Sequence, residues 1–194
     1  MQDLDPDFRR RLSELPQGPA ARLGSQQASV AALLRPGDLG PEVLLMERAQ
    51  RAEDRWSGQI CLPGGGFEPE DSDLEATARR ETHEELGFEL DACAAYLGHL
   101  DSRQAAARGK RLDLQVTPFV YAQESPPTLD LGPEASRAFW LPLAPAACGE
   151  LDSEVPVALG SQRHRYPAWR FKDHVVWGLT RGILGDLLDR LRAA

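Results

Sequence analysis

The sequence predicts an α/β (α+β) domain in which a mixed β-sheet is covered by helices. Three observations predict it. Short apolar runs bounded by Gly, Pro and Asp recur along the chain, as strands between turns do. Two stretches, near 73–87 and 174–192, carry apolar residues at helical spacing. These helices are interleaved with the strands instead of being segregated from them.

In chain order, residues 6–15 suit a short helix with Phe8, Leu12 and Leu15 to one side, and Pro16–Gly24 reads as a loop. Ala28–Leu34 reads as a buried strand, turned by Arg35-Pro36-Gly37-Asp38 into a second strand at Val43–Glu47. Arg48–Ser57 is a charged loop leading to a short strand at Gln59–Leu62. A helix then starts near Asp71–Asp73, where acidic residues favour the positive end of the macrodipole. Leu74, Ala78 and Leu86 form its buried stripe, and Gly87 ends it. Ala94–Leu100 and Leu112–Tyr121 read as strands joined by a polar segment, Asp101–Arg111. Ala138–Leu141 is a short strand followed by a helical turn through Ala147, and Pro156–Leu159 with Arg165–Phe171 suit an outer hairpin across Gly160. His174–Arg192 reads as the last helix, its leucine-rich stripe serving as core or as a homodimer contact.

A chain of 194 residues suits one domain with a full-sized core. A net charge of −8 argues against a broad nucleic-acid surface. No apolar run approaches the roughly 18 residues of a membrane span, and the charged N-terminus does not suit a signal peptide, so a cytoplasmic location is expected. Cys61, Cys93 and Cys148 lack metal spacing and read as reduced, small buried residues. Neither G-x4-G-K-[ST] nor G-x-G-x-x-G occurs, which excludes the common nucleotide-binding loops.

The chemistry concentrates between Pro63 and Phe88. At about 100° per residue, Glu84 and Glu85 project within roughly 60° of Glu81. Three carboxylates on one face repel one another. A hard divalent cation, Mg²⁺ or Mn²⁺, reverses that sign, since it binds oxygen ligands and retains waters. Gly64, Gly65 and Gly66 let a backbone carbonyl or a phosphate approach closely. Histidines 83, 99, 164 and 174 show no ligand spacing and read as surface or capping residues. Arg103, Arg108, Lys110 and Arg111 form a basic run that is either a phosphate contact or a solvated hairpin. Trp56 either stacks on a base or packs a loop, and Glu134 is either an accessory ligand or base, or a surface glutamate.

Arg80-Glu81-Thr82-His83-Glu84-Glu85-Leu86-Gly87-Phe88 resembles the second half of the Nudix box, G-x5-E-x7-R-E-U-x-E-E-x-G-U, with Thr82 the imperfect fit. In the first half, counting back from Arg80 puts Ser72 at the acidic position. Anchoring on Pro63-Gly64-Gly65 puts Asp71 there with one extra loop residue, and this second register keeps a carboxylate. The resemblance implies a Nudix-type α/β/α sandwich at 25–194, including the C-terminal helix, after an N-terminal extension at 1–24. It implies metal-dependent hydrolysis of a pyrophosphate bond in a nucleoside diphosphate linked to another moiety. Glu81, Glu85 and Glu84 are the implied metal ligands, with a carbonyl of Gly64 or Gly65, and one glutamate doubles as base. Arg80 is expected to hold Glu81 in place. A Nudix-shaped binding module without turnover is the alternative.

Leu44-Leu45-Met46-Glu47-Arg48-Ala49, then Arg55, Gly58 and Leu62-Pro63-Gly64-Gly65, resemble the extra motif of the coenzyme A pyrophosphatase branch. Met46, Ala49 and Leu62 depart from it, and the Arg55 spacing is off by one. This implies coenzyme A as substrate, with Arg48 or Arg55 holding its extra phosphate through a guanidinium fork, unless both arginines pair instead with the loop's own Glu53 and Asp54. Nucleotide sugars, ADP-ribose, dinucleoside polyphosphates and nucleoside triphosphates are the alternatives.

Overall fold

The computed structural model describes residues 10–20, 26–52, 56–107, 110–159 and 162–192. Two strands set the frame. β1 (Gln26–Gly37) lies parallel to β7 (Lys110–Gln123) along nine paired positions, from Gln26 opposite Leu114 to Leu34 opposite Ala122. On its other edge β1 pairs antiparallel with β2 (Gly40–Arg48) at one end and β4 (Gly64–Gly66) at the other. β3 (Ile60–Cys61) and β8 (Ala135–Pro142) extend the sheet from β2, and β5 (Ala94–His99) and β6 (Arg103–Ala107) pair with β7. A second, three-stranded antiparallel sheet joins β9 (Asp152–Leu159), β10 (Gln162–Phe171) and β11 (His174–Trp177).

Helices α1 (Leu74–Leu86), α2 (Leu90–Cys93), α3 (Leu143–Ala147) and α4 (Gly178–Arg192) complete the described elements. β1 is buried on both faces, as its alternating residues show. Ala31 and Leu33 pack with Leu74, Ala78 and Leu86 of α1, whereas Ala32 and Leu34 pack with Ile183, Leu184 and Leu187 of α4. The sheet therefore sits between two apolar layers, the expected sandwich. The N-terminal segment joins the α4 layer: Leu12 and Leu15 are buried, and His99 N donates to Pro16 O at 2.9 Å.

Several elements differ from the sequence reading for definite reasons. The polar segment after Leu100 contains β6, where Ala105 is buried between exposed Gln104 and Ala106. The last helix begins at Gly178, not His174. Val175, Val176 and Trp177 extend β11 against β10, and Gly178, at φ +62°, turns the chain into the helix. The hairpin turn falls on Asp38-Leu39, because Pro36 and Gly37 still pair with Pro41 and Gly40. Helical backbone in the N-terminal segment is confined to residues 10–12 of those described. Cys148 is exposed, not buried. His174 is neither surface nor cap: it is 7% exposed and stacked on Phe139 at 3.7 Å between ring centroids.

Thr180 Oγ1 donates to Ile60 O at 3.1 Å, so α4 is tied to the strand that leads into the glycines. Among the described residues no helix is long and apolar enough to cross a membrane.

Candidate active site

α1 is fixed at both ends before its glutamates are considered. Asp73 caps it by accepting from Ala76 N at 2.8 Å. Gly87, at φ +76°, closes the other end by donating to His83 O at 2.8 Å. The loop 130–132 then satisfies the next carbonyls: Asp130 N donates to Leu86 O at 3.0 Å, and Gly132 N to Glu85 O at 2.9 Å. Thr82 fits its apolar slot because its hydroxyl folds back onto Ala78 O at 2.7 Å, leaving the residue wholly buried.

The glycines are a strand as well as a loop. Gly64 sits at φ +149°, and a Cβ there would fall 2.6 Å from Val30 Cα. A Cβ on Gly65 would fall 2.6 Å from Glu81 Oε2, so this backbone is bare to admit that carboxylate.

Glu81 and Glu85 face β4 together. Glu85 is 1% exposed, its Oε2 accepts from Gly64 N at 2.8 Å, and its Oε1 is buried without a hydrogen-bond partner. Burial pushes its carboxyl up to about 8, against the Gly64 N–H and with the help of the Glu81 charge. Burial also raises Glu81, opposed by Arg80. Glu84 turns away, its side chain 55% exposed. Among the described residues no three carboxylate, imidazole or thiolate groups already converge as a metal cluster. The candidate donor set is Glu81, Glu85 and the β4 backbone, and the buried Glu85 Oε1, which accepts no hydrogen bond, fits a cation there.

Arg80 organises the other side. Its Nε and Nη2 donate to the two oxygens of Asp71, each at 3.0 Å. Nη2 also reaches Gly66 O at 3.0 Å, and Nη1 reaches Glu81 Oε1 at 2.9 Å and both Glu84 oxygens at 3.4 Å. Asp71 accepts further bonds from Thr77 Oγ1 at 2.8 Å and Glu68 N at 3.0 Å. The Arg80 bonds lead in holding its carboxyl down at about 2, against partial burial. Ser72 is exposed, and Asp71, not Ser72, meets the helix. The Asp71 side chain is only 5% exposed, covered by these contacts.

Arg48, at the end of β2, has Nη1 3.8 Å from Glu85 Oε1 and Nη2 3.8 Å from Glu134 Oε2. Glu134 thus stands beside the site, bonded to Arg51 Nη1 at 2.8 Å. No motif singles out Arg51; it is one more arginine in a charged loop. Arg55 and Arg108 lie outside the described residues. Arg103, from the basic run, is committed to Asp186 of α4, with Nη2 at 2.6 Å from Oδ1.

The NUDIX domain family model matches residues 25–158. The chain is 30% identical over 195 residues to an uncharacterized Nudix hydrolase, NudL, of Klebsiella pneumoniae, spanning 96% of this chain and 94% of that one. It is 34% identical over 144 residues to the peroxisomal coenzyme A diphosphatase ndx-8 of Caenorhabditis elegans, spanning 71% of this chain and 58% of the worm protein's length. Among solved structures, the binary complex of a C. elegans Ap4A hydrolase superposes with a TM-score of 0.52 at 20% identity, over 64% of this chain and 85% of that one. With the matched family model and the carboxylate helix facing a glycine strand, this chain belongs to the NUDIX family of pyrophosphohydrolases.

Proposed function

We propose that this chain hydrolyses coenzyme A, as a nucleoside diphosphate joined to another moiety, to 3′,5′-ADP and 4′-phosphopantetheine. One water is taken up and one phosphoanhydride P–O bond is broken. The observation that carries the hydrolytic site is the buried, unbonded Glu85 Oε1 beside Glu81 and the bare Gly64–Gly65 backbone. The choice of coenzyme A rests on the Leu44–Gly65 motif and on the activity named for the worm relative.

Glu81 and Glu85 would hold Mg²⁺ or Mn²⁺, with a carbonyl of Gly64 or Gly65. When bound, a divalent ion polarises phosphoryl oxygens and lowers the pKa of a coordinated water. The chain's own residues do the rest. Arg80 spans Asp71, Gly66 O and Glu81, so the loop and helix carboxylates keep a fixed spacing. Gly64 N orients Glu85. Arg48 supplies a guanidinium next to Glu85 for a substrate phosphate. Glu84, exposed and against Arg80, has the weaker claim among the three glutamates.

The test is a panel of coenzyme A, dephospho-coenzyme A, a nucleotide sugar, ADP-ribose, Ap4A and nucleoside triphosphates, with Mg²⁺ or Mn²⁺ and products resolved by chromatography. Coenzyme A is expected to be cleaved fastest, and dephospho-coenzyme A more slowly. Chelator, or Glu81→Gln, is expected to reduce turnover on the order of 10²-fold or more. Fast cleavage of another compound with none of coenzyme A removes the substrate assignment. Full activity in chelator or in Glu81→Gln removes the site.

A further inference from the structure

Ala49 and Arg51, just after β2, are fastened from outside the site. Arg51 Nη1 donates to Glu134 Oε1 at 2.8 Å and Nη2 to Pro133 O at 3.2 Å. Its own N–H donates to Ser57 Oγ at 2.8 Å, and Ala49 N donates to Glu134 O at 2.8 Å. The other Glu134 oxygen, Oε2, lies 3.8 Å from Arg48 Nη2, and Arg48 Nη1 lies 3.8 Å from Glu85 Oε1. Arg51, Glu134, Arg48 and Glu85 therefore alternate in charge through successive contacts, from the half-exposed Arg51 to the buried carboxylate.

An exposed ion pair taken alone contributes little. This one is anchored. The Arg51 guanidinium forks onto a carboxylate and the preceding carbonyl, a geometry an ammonium cannot reproduce. The backbone around Glu134 is fixed as well, since Gly132 N bonds Glu85 O and Glu134 O bonds Ala49 N. With one oxygen of Glu134 engaged by Arg51, a single oxygen faces Arg48. Released from Arg51, the whole carboxylate would compete with Glu85 for Arg48.

We propose that Arg51 is a positioning residue for the pyrophosphohydrolase site: by engaging Glu134 it keeps Arg48 shared between Glu134 and Glu85 and presented to substrate phosphate. This rests on the reading of Arg48 as a phosphate contact given above. Arg51 touches no substrate in this role. It acts through Glu134.

The test compares wild type, Arg51→Gln, Arg51→Lys, Arg48→Gln and the double variant Arg48→Gln/Arg51→Gln, with Mg²⁺ and the diphosphate that wild type cleaves fastest. Losing a charge-assisted fork should raise KM about 10-fold in Arg51→Gln, with kcat within about threefold of wild type. Arg51→Lys should recover part of that loss. The double variant should be no worse than Arg48→Gln, because Arg51 acts through Arg48. Thermal midpoints should stay within about 2 °C, as for a surface contact. Additive losses in the double variant, a wild-type KM in Arg51→Gln, or a loss that tracks a lowered midpoint overturns the proposal. With an active wild type, those outcomes leave the Nudix reading standing. A wild type inert towards the whole panel overturns both.

Discussion

Gly65 lacks a side chain where Glu81 needs the room: a Cβ on Gly65 would lie 2.6 Å from Glu81 Oε2. Real Cβ atoms do not approach a neighbour so closely, so Gly65→Ala must push the carboxylate or the strand aside. Activity is expected to fall on the order of 10²-fold, because a displacement of about 1 Å in a positioned group is that costly. Gly66→Ala provides the control, since a Cβ there meets nothing within 4 Å. Equal steady-state rates in the two variants would show that the Gly65–Glu81 approach is irrelevant to turnover.

Asp71 should prove a structural residue as well as a functional one. Its carboxylate is covered and takes both prongs of Arg80. Asp71→Ala leaves a half-buried guanidinium without its main partner, at a cost of about 2–4 kcal/mol. Denaturant titration of Asp71→Ala against Ser72→Ala should show a marked loss in the first and almost none in the second. Matching midpoints would deny Asp71 this role.

The stability of the metal-free protein should depend on pH in opposite senses at two carboxylates. Glu85 is raised from 4.5 to about 8, so between those values the folded state binds the extra proton. Stability therefore falls as pH rises through that window. Asp71 is lowered from 3.8 to about 2, so the unfolded state binds the extra proton there, and stability is lost as pH falls through that range. Glu85→Gln in chelator should flatten the decline between about pH 5 and 8. An unchanged slope in that variant would place the titration elsewhere.

The parts of the fold and site that a short stretch of chain dictates were legible. Helix α1 is set by Leu74, Ala78, Leu86 and Gly87, all local signals, and the glutamate spacing follows from the helix itself. What escaped depends on partners far along the chain. β6 is a strand because β7 pairs with it, although its own Arg-Gln-Ala-Ala-Ala reads as polar linker. Val175-Val176-Trp177 suited the helical stripe and was claimed by β10. The three glutamates were equivalent by angle, yet only Glu81 and Glu85 turn to β4, because Gly65 and Gly64 N receive them. Arg51 carried no signal, since its meaning lies in Glu134, far along the chain.

Ala28, Ser29 and Val30 carry the glycine strand on one edge, opposite Gly66, Gly65 and Gly64. The same three residues pair on their other edge with Val116, Thr117 and Pro118 of β7. The site's floor is thus built on a parallel contact that closes a long stretch of chain. Such a closure is slow, because its loop entropy must be overcome before the pairing rewards it. Helix α1 can form early from local contacts, and β4 on β1 gives its carboxylates a strand to face, but β1 lacks its second neighbour until β7 has been made and docked. In a chain growing from its N-terminus, catalytic competence therefore arrives late, well after the Nudix box has been synthesised.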